Sequence, residues 1–313
     1  MKQFVLSGIF SGPEVKRTSP HSRGFLFAGL GVLLVTTNFV TVKFALKRFN
    51  PETFTFLWTS SAAGYALLLL VIGGQGKSIF LPMRRFWWMA LIGVINGAGA
   101  LLTWKGLAYL DPSIASFLWR FHPIITILLG VVFLQERFML VELFPVGLMI
   151  VGAFFSLSPK WQSISTGVII TLFACTINSV QMYLVKIKVS EYRPELIVFY
   201  RNAIGALIIG VWVFMTRMIN IQIEGGFYWM IALVGSLFGE ALSFTFLFKS
   251  FSYWDLSRTS VIRTAEPLLV LLWGYLVFHS LPGSTELLGG LLILCGAVLF
   301  SLCHFFRKPV RSQ

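Results

Sequence analysis

Charge is what this sequence has least of. Asp, Glu, Lys and Arg together make up 12% of its 313 residues, while 57% are hydrophobic and the mean hydropathy is +0.82. A soluble domain carries about a quarter of its residues charged, and a chain of this length cannot bury so large an apolar share in a core of its own. Solution enzymes and soluble nucleic-acid binders are excluded on that ground. Aromatic base stacking with basic interleaving, which a nucleic-acid site needs, has no soluble surface to occupy. Cysteine is scarce as well: Cys175, Cys295 and Cys303 lie in or at the end of apolar runs, without Cys-x-x-Cys spacing, and read as small packing residues. Also missing are His-Glu-x-x-His, Gly-x-Ser-x-Gly, a phosphate loop, any His/Asp cluster and long loops. The chain is therefore not read as an enzyme, and nothing in it calls for a metal or cofactor.

What is present is a series of apolar runs, each long enough to cross about 30 Å of hydrocarbon. Ten spans are predicted: Gly24–Leu46, Thr53–Gly73, Phe86–Leu110, Ser113–Leu134, Met139–Leu157, Ser165–Val185, Pro194–Thr216, Gly226–Phe248, Leu256–Phe278 and Thr285–Phe305. Asn50-Pro51, Asp111-Pro112, Ser158-Pro159 and Pro282-Gly283 mark breaks between them, since Pro cannot continue a preceding helix. Residues 1–23 are polar, with an apolar patch, Phe4–Phe10, that Ser7 and Gly8 interrupt; they read as a tail rather than a signal peptide. With the N-terminus inside, 16 Lys and Arg fall on the cytoplasmic side and 6 on the outer side. That asymmetry places both termini in the cytoplasm, and the expected location is the bacterial inner membrane. The net charge of +13 is then a matter of topology and anionic lipid headgroups.

The chain repeats itself. Lys105–Ala153 and Lys249–Ala297, 144 positions apart, agree at 13 of 49 positions, among them Lys105/Lys249, Asp111/Asp255, Pro123/Pro267, Gly130/Gly274, Glu142/Glu286 and Gly152/Gly296. Identity at Pro, Gly, Asp, Glu and Lys is not a by-product of apolar composition. The first halves match more weakly: Asn38 is set against Asn178, and Phe56-Leu57-Trp58 against Phe199-Tyr200-Arg201. Five spans per copy is an odd number, so the second copy enters the membrane from the opposite side. The expected organisation is an all-α membrane protein of ten helices in two inverted five-helix repeats, 24–157 and 165–305. A linker, 158–164, joins them, and cytoplasmic tails, 1–23 and 306–313, flank them. Inverted repeats are the architecture of alternating-access carriers.

Several motifs carry a resemblance. Thr37-Asn38-Phe39-Val40 with Lys43, Pro123 followed by Leu134-Gln135-Glu136-Arg137, Gly147 and Gly152, and Arg263-Thr264-Ala265-Glu266-Pro267 with Gly296 resemble the drug/metabolite transporter superfamily. Within it, the chain is similar to the EamA-type ten-helix permeases over nearly all its length. The resemblance implies two inverted repeats around a central cavity and secondary transport of a small metabolite, often export. The chain departs from the pattern at Ser280, where the first copy has Glu136, and at Trp58, where family members often carry an Arg like Arg201.

Five ionisable residues lie well inside apolar runs: Arg120, Arg201, Glu240, Arg263 and Glu266. Each costs about 2.5–3.5 kcal/mol at mid-membrane, which calls for a polar cavity or for mutual pairing such as Arg201 with Glu240 or Arg263 with Glu266. Arg120 and Arg263 are each the eighth residue of their span, entering from opposite faces, so they lie about 12 Å along their helices from either side. Ser113, Ser116, Arg120 and Pro123 share one helix face, and Thr259, Arg263, Glu266 and Val270 the corresponding one. Substrate-binding candidates are these charges with the mid-membrane amides Asn38, Asn96 and Asn178, the last three serving equally as helix cross-links. Pro123 and Pro267 are read either as gating hinges or as packing kinks. Trp58, Trp104, Trp119 and Tyr109 are read as interface residues, with a cavity wall as the alternative. Gly93 and Gly97 read as a close-packing pair, and His122 as a hydrogen-bonded core residue. Glu240 and Glu266 are the candidates for proton coupling, because an apolar surrounding favours a carboxyl's uncharged form.

Three buried Arg against two buried Glu favour carboxylates or zwitterions such as amino acids as cargo, carried outward. Export of cationic drugs, flipping of a lipid-linked substrate and an intramembrane enzyme are the competing readings. The partners expected are a small-molecule substrate and membrane lipids, with a homodimer left open and nucleic acid not among them.

Overall fold

The computed structural model describes residues 20–74, 76–110, 115, 118, 119, 121–133, 141, 143–157, 161–219, 226–254, 256, 259, 262, 263, 266–279 and 283–305. Among them there is no strand. Helices run over Pro20–Ala45 (α1), Pro51–Ile72 (α2), Met83–Tyr109 (α3), Phe121–Phe133 (α4), Leu143–Leu157 (α5), Trp161–Lys188 (α6), Pro194–Met215 (α7), Gly226–Phe251 (α8), Glu266–Phe278 (α9) and Ser284–Phe305 (α10). Six of them, α1, α2, α3, α6, α7 and α8, are long and apolar enough to cross a membrane.

Local sequence explains the boundaries. Asn50 accepts the Thr53 amide at 2.9 Å and Pro51 takes the first helical position of α2, where its missing N–H leaves no bond unmade. Pro194 does the same for α7. The pairs Pro51-Glu52 and Pro194-Glu195 are 143 positions apart.

The packing is symmetric under exchange of the two repeats. α3 lies along α6 and α8 along α1; α4 meets α6 and α9 meets α1; α2 packs on α7 and α5 on α10. The tightest case is α5 on α10. A Cβ on Gly152 would come within 2.6 Å of the Gly289 carbonyl, and one on Gly296 within 2.6 Å of the Pro145 carbonyl. Since Pro145 and Gly152 precede Gly289 and Gly296 by 144 positions, each half makes the other's contact.

Two apolar clusters show that the repeats run in opposite directions. One gathers the start of α1, the end of α2 and the start of α3 with the end of α6, the start of α7 and the end of α8, through Val32, Leu70, Met89, Val185, Ile197 and Phe248. The other gathers the end of α1, the start of α2 and the end of α3 with the first part of α8, through Val42, Phe54, Trp104 and Ala232. The end of α6 thus lies with the start of α1, its counterpart, so the repeats are inverted. The clusters form an apolar plug towards each end of the bundle, leaving the middle for polar groups.

Lysines close the ends. Lys43, near the end of α1, donates to the carbonyls of Leu107 and Leu110 at the end of α3, at 3.2 and 2.7 Å. Lys186, near the end of α6, donates to those of Phe251 and Trp254 at the end of α8, at 2.9 and 2.8 Å. The last carbonyls of a helix lack intrahelical donors and carry its negative dipole end, so an ammonium there satisfies both needs. The acceptors are 144 positions apart and the lysines 143. This fixes the register of α1 against α6 and corrects the alignment drawn from sequence: Asn38 stands opposite Gln181, not Asn178.

Candidate functional site

Between the apolar plugs lies a cavity of ≈ 680 Å³ free of protein atoms, counting its mouth, of which ≈ 80 Å³ admits the centre of a water molecule. That is room for more than one water molecule.

Of the five charges predicted to lie inside spans, four line it: Arg201, Glu240, Arg263 and Glu266. Arg120 lies outside the described residues. Asn38, Asn96 and Asn178 line it too, so seven of the eight substrate-binding candidates meet in one place. Arg201 on α7 pairs through Nη2 with the Glu240 carboxylate on α8. Its guanidinium lies over the Phe244 ring, 3.8 Å from the centroid, and its Nε and Nη1 have no hydrogen-bond partner among the described residues. Arg263 donates from Nε to Glu266 at 2.7 Å, a pair within one short stretch. The face predicted to carry them is buried throughout: Thr259, Arg263, Glu266 and Val270 are 0, 7, 3 and 1% exposed.

The amides both cross-link helices and face the cavity. Asn96 on α3 donates to the Arg201 carbonyl at 3.2 Å and to Asn202 Oδ1 at 3.4 Å, while its own Oδ1 accepts from Gln181 on α6 at 2.8 Å. Asn178 donates to Thr103 Oγ1 at 3.4 Å. Asn38 on α1 donates to the Gly239 carbonyl at 2.9 Å. That carbonyl is reachable because α8 forms a π turn over Leu237–Leu242, with Glu240 inside it. Such a turn widens the helix locally and occurs most often at functional sites.

Gly239 is the only residue type that fits there, because a Cβ at this position would run into the Asn38 side chain. Gly239→Ala is expected to cost about 1–3 kcal/mol through overpacking, with part of the loss recovered in Asn38→Ala/Gly239→Ala. Thermal unfolding of the purified variants checks it.

Three residues read from sequence as interface aromatics belong to the cavity wall instead: Trp58, Trp104 and Trp119 line it. Trp58 is 1% and Trp104 7% exposed, their rings edge-to-face at 5.9 Å; only Tyr109, at 60%, stays outside. Position along a span did not separate the two roles. Gln181 and Asn202, both fully buried, were not singled out from sequence, although the register set by Lys43 and Lys186 places Gln181 opposite Asn38. His122 is buried and lines the cavity.

Spans four and nine are not continuous helices. The Trp119 carbonyl accepts from His122 three residues on, at 3.2 Å, in a tight turn just before α4. Arg263, 144 positions after Trp119, lies in a 3-10 turn before α9. Pro123 and Pro267 accordingly fall in the first turn of α4 and α9, where a missing N–H interrupts no helical bond. Interrupted helices beside a mid-membrane site are a recurring feature of inverted-repeat transporters.

The sequence profile of the EamA-like transporter family matches residues 22–158 and, separately, 165–302. The chain belongs to the EamA-like transporter family. It is a multi-pass integral membrane protein and a membrane transporter, consistent with the drug/metabolite transporter superfamily. A Haemophilus influenzae protein named only as an uncharacterized transporter is 22% identical over 296 residues, covering 90% of this chain and 95% of its own. A solved structure, described only as the crystal structure of a protein, superposes with a TM-score of 0.72 at 16% identity. It covers 91% of this EamA chain and 99% of its own length, which speaks to the fold.

Proposed function

We propose that this EamA transporter is a secondary carrier of small carboxylate-bearing metabolites, amino acids among them, exported across the bacterial inner membrane by alternating access. The observation that carries the reading is Arg201: 2% exposed, facing the cavity, with two of its three guanidinium nitrogens, Nε and Nη1, unpartnered among the described residues. A buried donor left unmet costs about 1–3 kcal/mol and more when charged, and an anion such as a carboxylate is the acceptor that makes the strong, charge-assisted bond to such a donor. Inverted repeats with a site midway between apolar plugs support the alternating part, since rocking one repeat on the other opens the cavity to either side in turn. The positive-inside distribution supports cytoplasmic termini.

The test is thermal stabilisation of the detergent-purified protein by amino acids, organic acids, sugar phosphates and cationic drugs. A ligand at about 100 times its Kd stabilises the folded state by about 2.7 kcal/mol, a shift of several degrees. Carboxylate-bearing ligands are expected to stabilise the wild type and not Arg201→Gln. Stabilisation by cationic or lipid-like compounds alone, equal in both proteins, overturns the reading.

A further inference from the structure

The Arg201–Glu240 pair is built to be opened, and its chemistry narrows the cargo; the argument rests on the proposed function above. The pair joins two different helices, α7 and α8. The other buried pair, Arg263 with Glu266, is local, three residues apart in the chain. Arg201 also has a second support. Phe244 lies under its guanidinium at 3.8 Å, so the cation keeps its place when the carboxylate leaves. Glu240 stands in the π turn, beside Trp58 of α2, and that turn is tied to α1 through Asn38 and the Gly239 carbonyl.

We infer that a zwitterion inserts between Arg201 and Glu240, its carboxylate on the guanidinium and its ammonium on the Glu240 carboxylate, making Glu240 the residue that selects amino acids over simple acids. In the empty site the two protein charges neutralise each other. With the zwitterion in place there are two cations and two anions, and the cavity is again neutral without a proton being taken up or released. A carboxylate without an ammonium instead leaves Glu240 and the ligand sharing one guanidinium, an excess negative charge inside the membrane-spanning bundle. An amine without a carboxyl leaves Arg201 in excess in the same way. The remaining charged or titratable groups that line the cavity are Arg263 and Glu266, which pair with each other, and His122 of α4.

The experiment measures binding to the full-length protein in detergent by titration calorimetry. Serine, leucine and phenylalanine are each compared with the acid lacking the amino group and the amine lacking the carboxyl. The wild type is expected to prefer the best-bound amino acid over its two analogues by about 10²-fold or more, as a site built around a buried polar partner does. Glu240→Gln, which keeps one acceptor for the guanidinium, is expected to reverse the preference in favour of the acid. Because Glu240→Gln can fail to fold, the wild type is also titrated in two buffers of different ionisation enthalpy. Amino-acid binding is expected to exchange no proton with them. Equal binding of amino acid and acid by the wild type, an unchanged preference in Glu240→Gln, or uptake of one proton per ligand overturns the insertion while the carboxylate carrier stands. Binding of the amines alone, or of none of the three classes, overturns both.

Discussion

Glu240→Ala is expected to destabilise the protein by about 3–5 kcal/mol, because it strands the Arg201 guanidinium, 2% exposed, without the carboxylate it pairs with. Arg201→Ala strands Glu240, 6% exposed, at similar cost. The double variant Arg201→Met/Glu240→Met is expected to recover most of the loss, since well-packed apolar side chains replace a buried ion pair at little or no penalty. Unfolding in mixed micelles reads the stabilities, and flux in proteoliposomes reads function. Transport is expected to be lost in all three, so the double variant separates the two roles of the pair. A double variant as unstable as the singles would mean that packing around Phe244 and Phe248, not charge, holds α7 to α8.

The second large effect is expected at the lysine clamps. Lys43→Met and Lys186→Met each remove two hydrogen bonds from a charged donor, worth about 1.5–3 kcal/mol apiece before discounting for the partial exposure of the ammonium. They also leave the last carbonyls of α3 or α8 without that donor. Because the clamps sit at equivalent places in the two repeats, the two losses are expected to match within about 0.5 kcal/mol and, being at opposite ends of the bundle, to add in the double variant. Urea or thermal unfolding of the four proteins checks both statements. A loss confined to one lysine would show that the symmetry of these contacts is one of geometry without equal energy.

Much of the fold was legible because duplication leaves marks that apolar composition cannot imitate. The 144-residue offset, carried by Pro, Gly, Asp and Lys, places α3 to α5 opposite α8 to α10. The odd number of spans implies inversion, and the apolar clusters confirm it. The register of α1 against α6 was misread because one shared amide, Asn38 with Asn178, was weighed above the lysines at 43 and 186. In an apolar helix a polar identity is conspicuous wherever it falls, whereas a contact to another helix's end is invisible in one sequence. The site was legible as a set of charges, since an ion inside a span needs a reason to be there. Its partition into pairs was left open, as was the role of the tryptophans, because both depend on which helices face each other. The π turn at Glu240 is a backbone event with no residue signature of its own, and the turns before α4 and α9 were marked only by Pro123 and Pro267, which a hinge or a kink explains equally well in the sequence.

The ion pair has one more consequence. Trp58 and Asn96 occupy in the first repeat the positions that Arg201 and Glu240 occupy in the second, so the most polar contact of the cavity belongs to one half only. In a carrier with a perfect two-fold axis, exchanging the conformations of the halves would convert the inward-facing state into the outward-facing one at no cost, and the empty protein would visit both equally. Under the alternating access proposed above, the pair lifts that degeneracy. Free energy invested on one side of the axis gives the unloaded carrier a resting orientation, and a direction of waiting for cargo, without any gradient being applied.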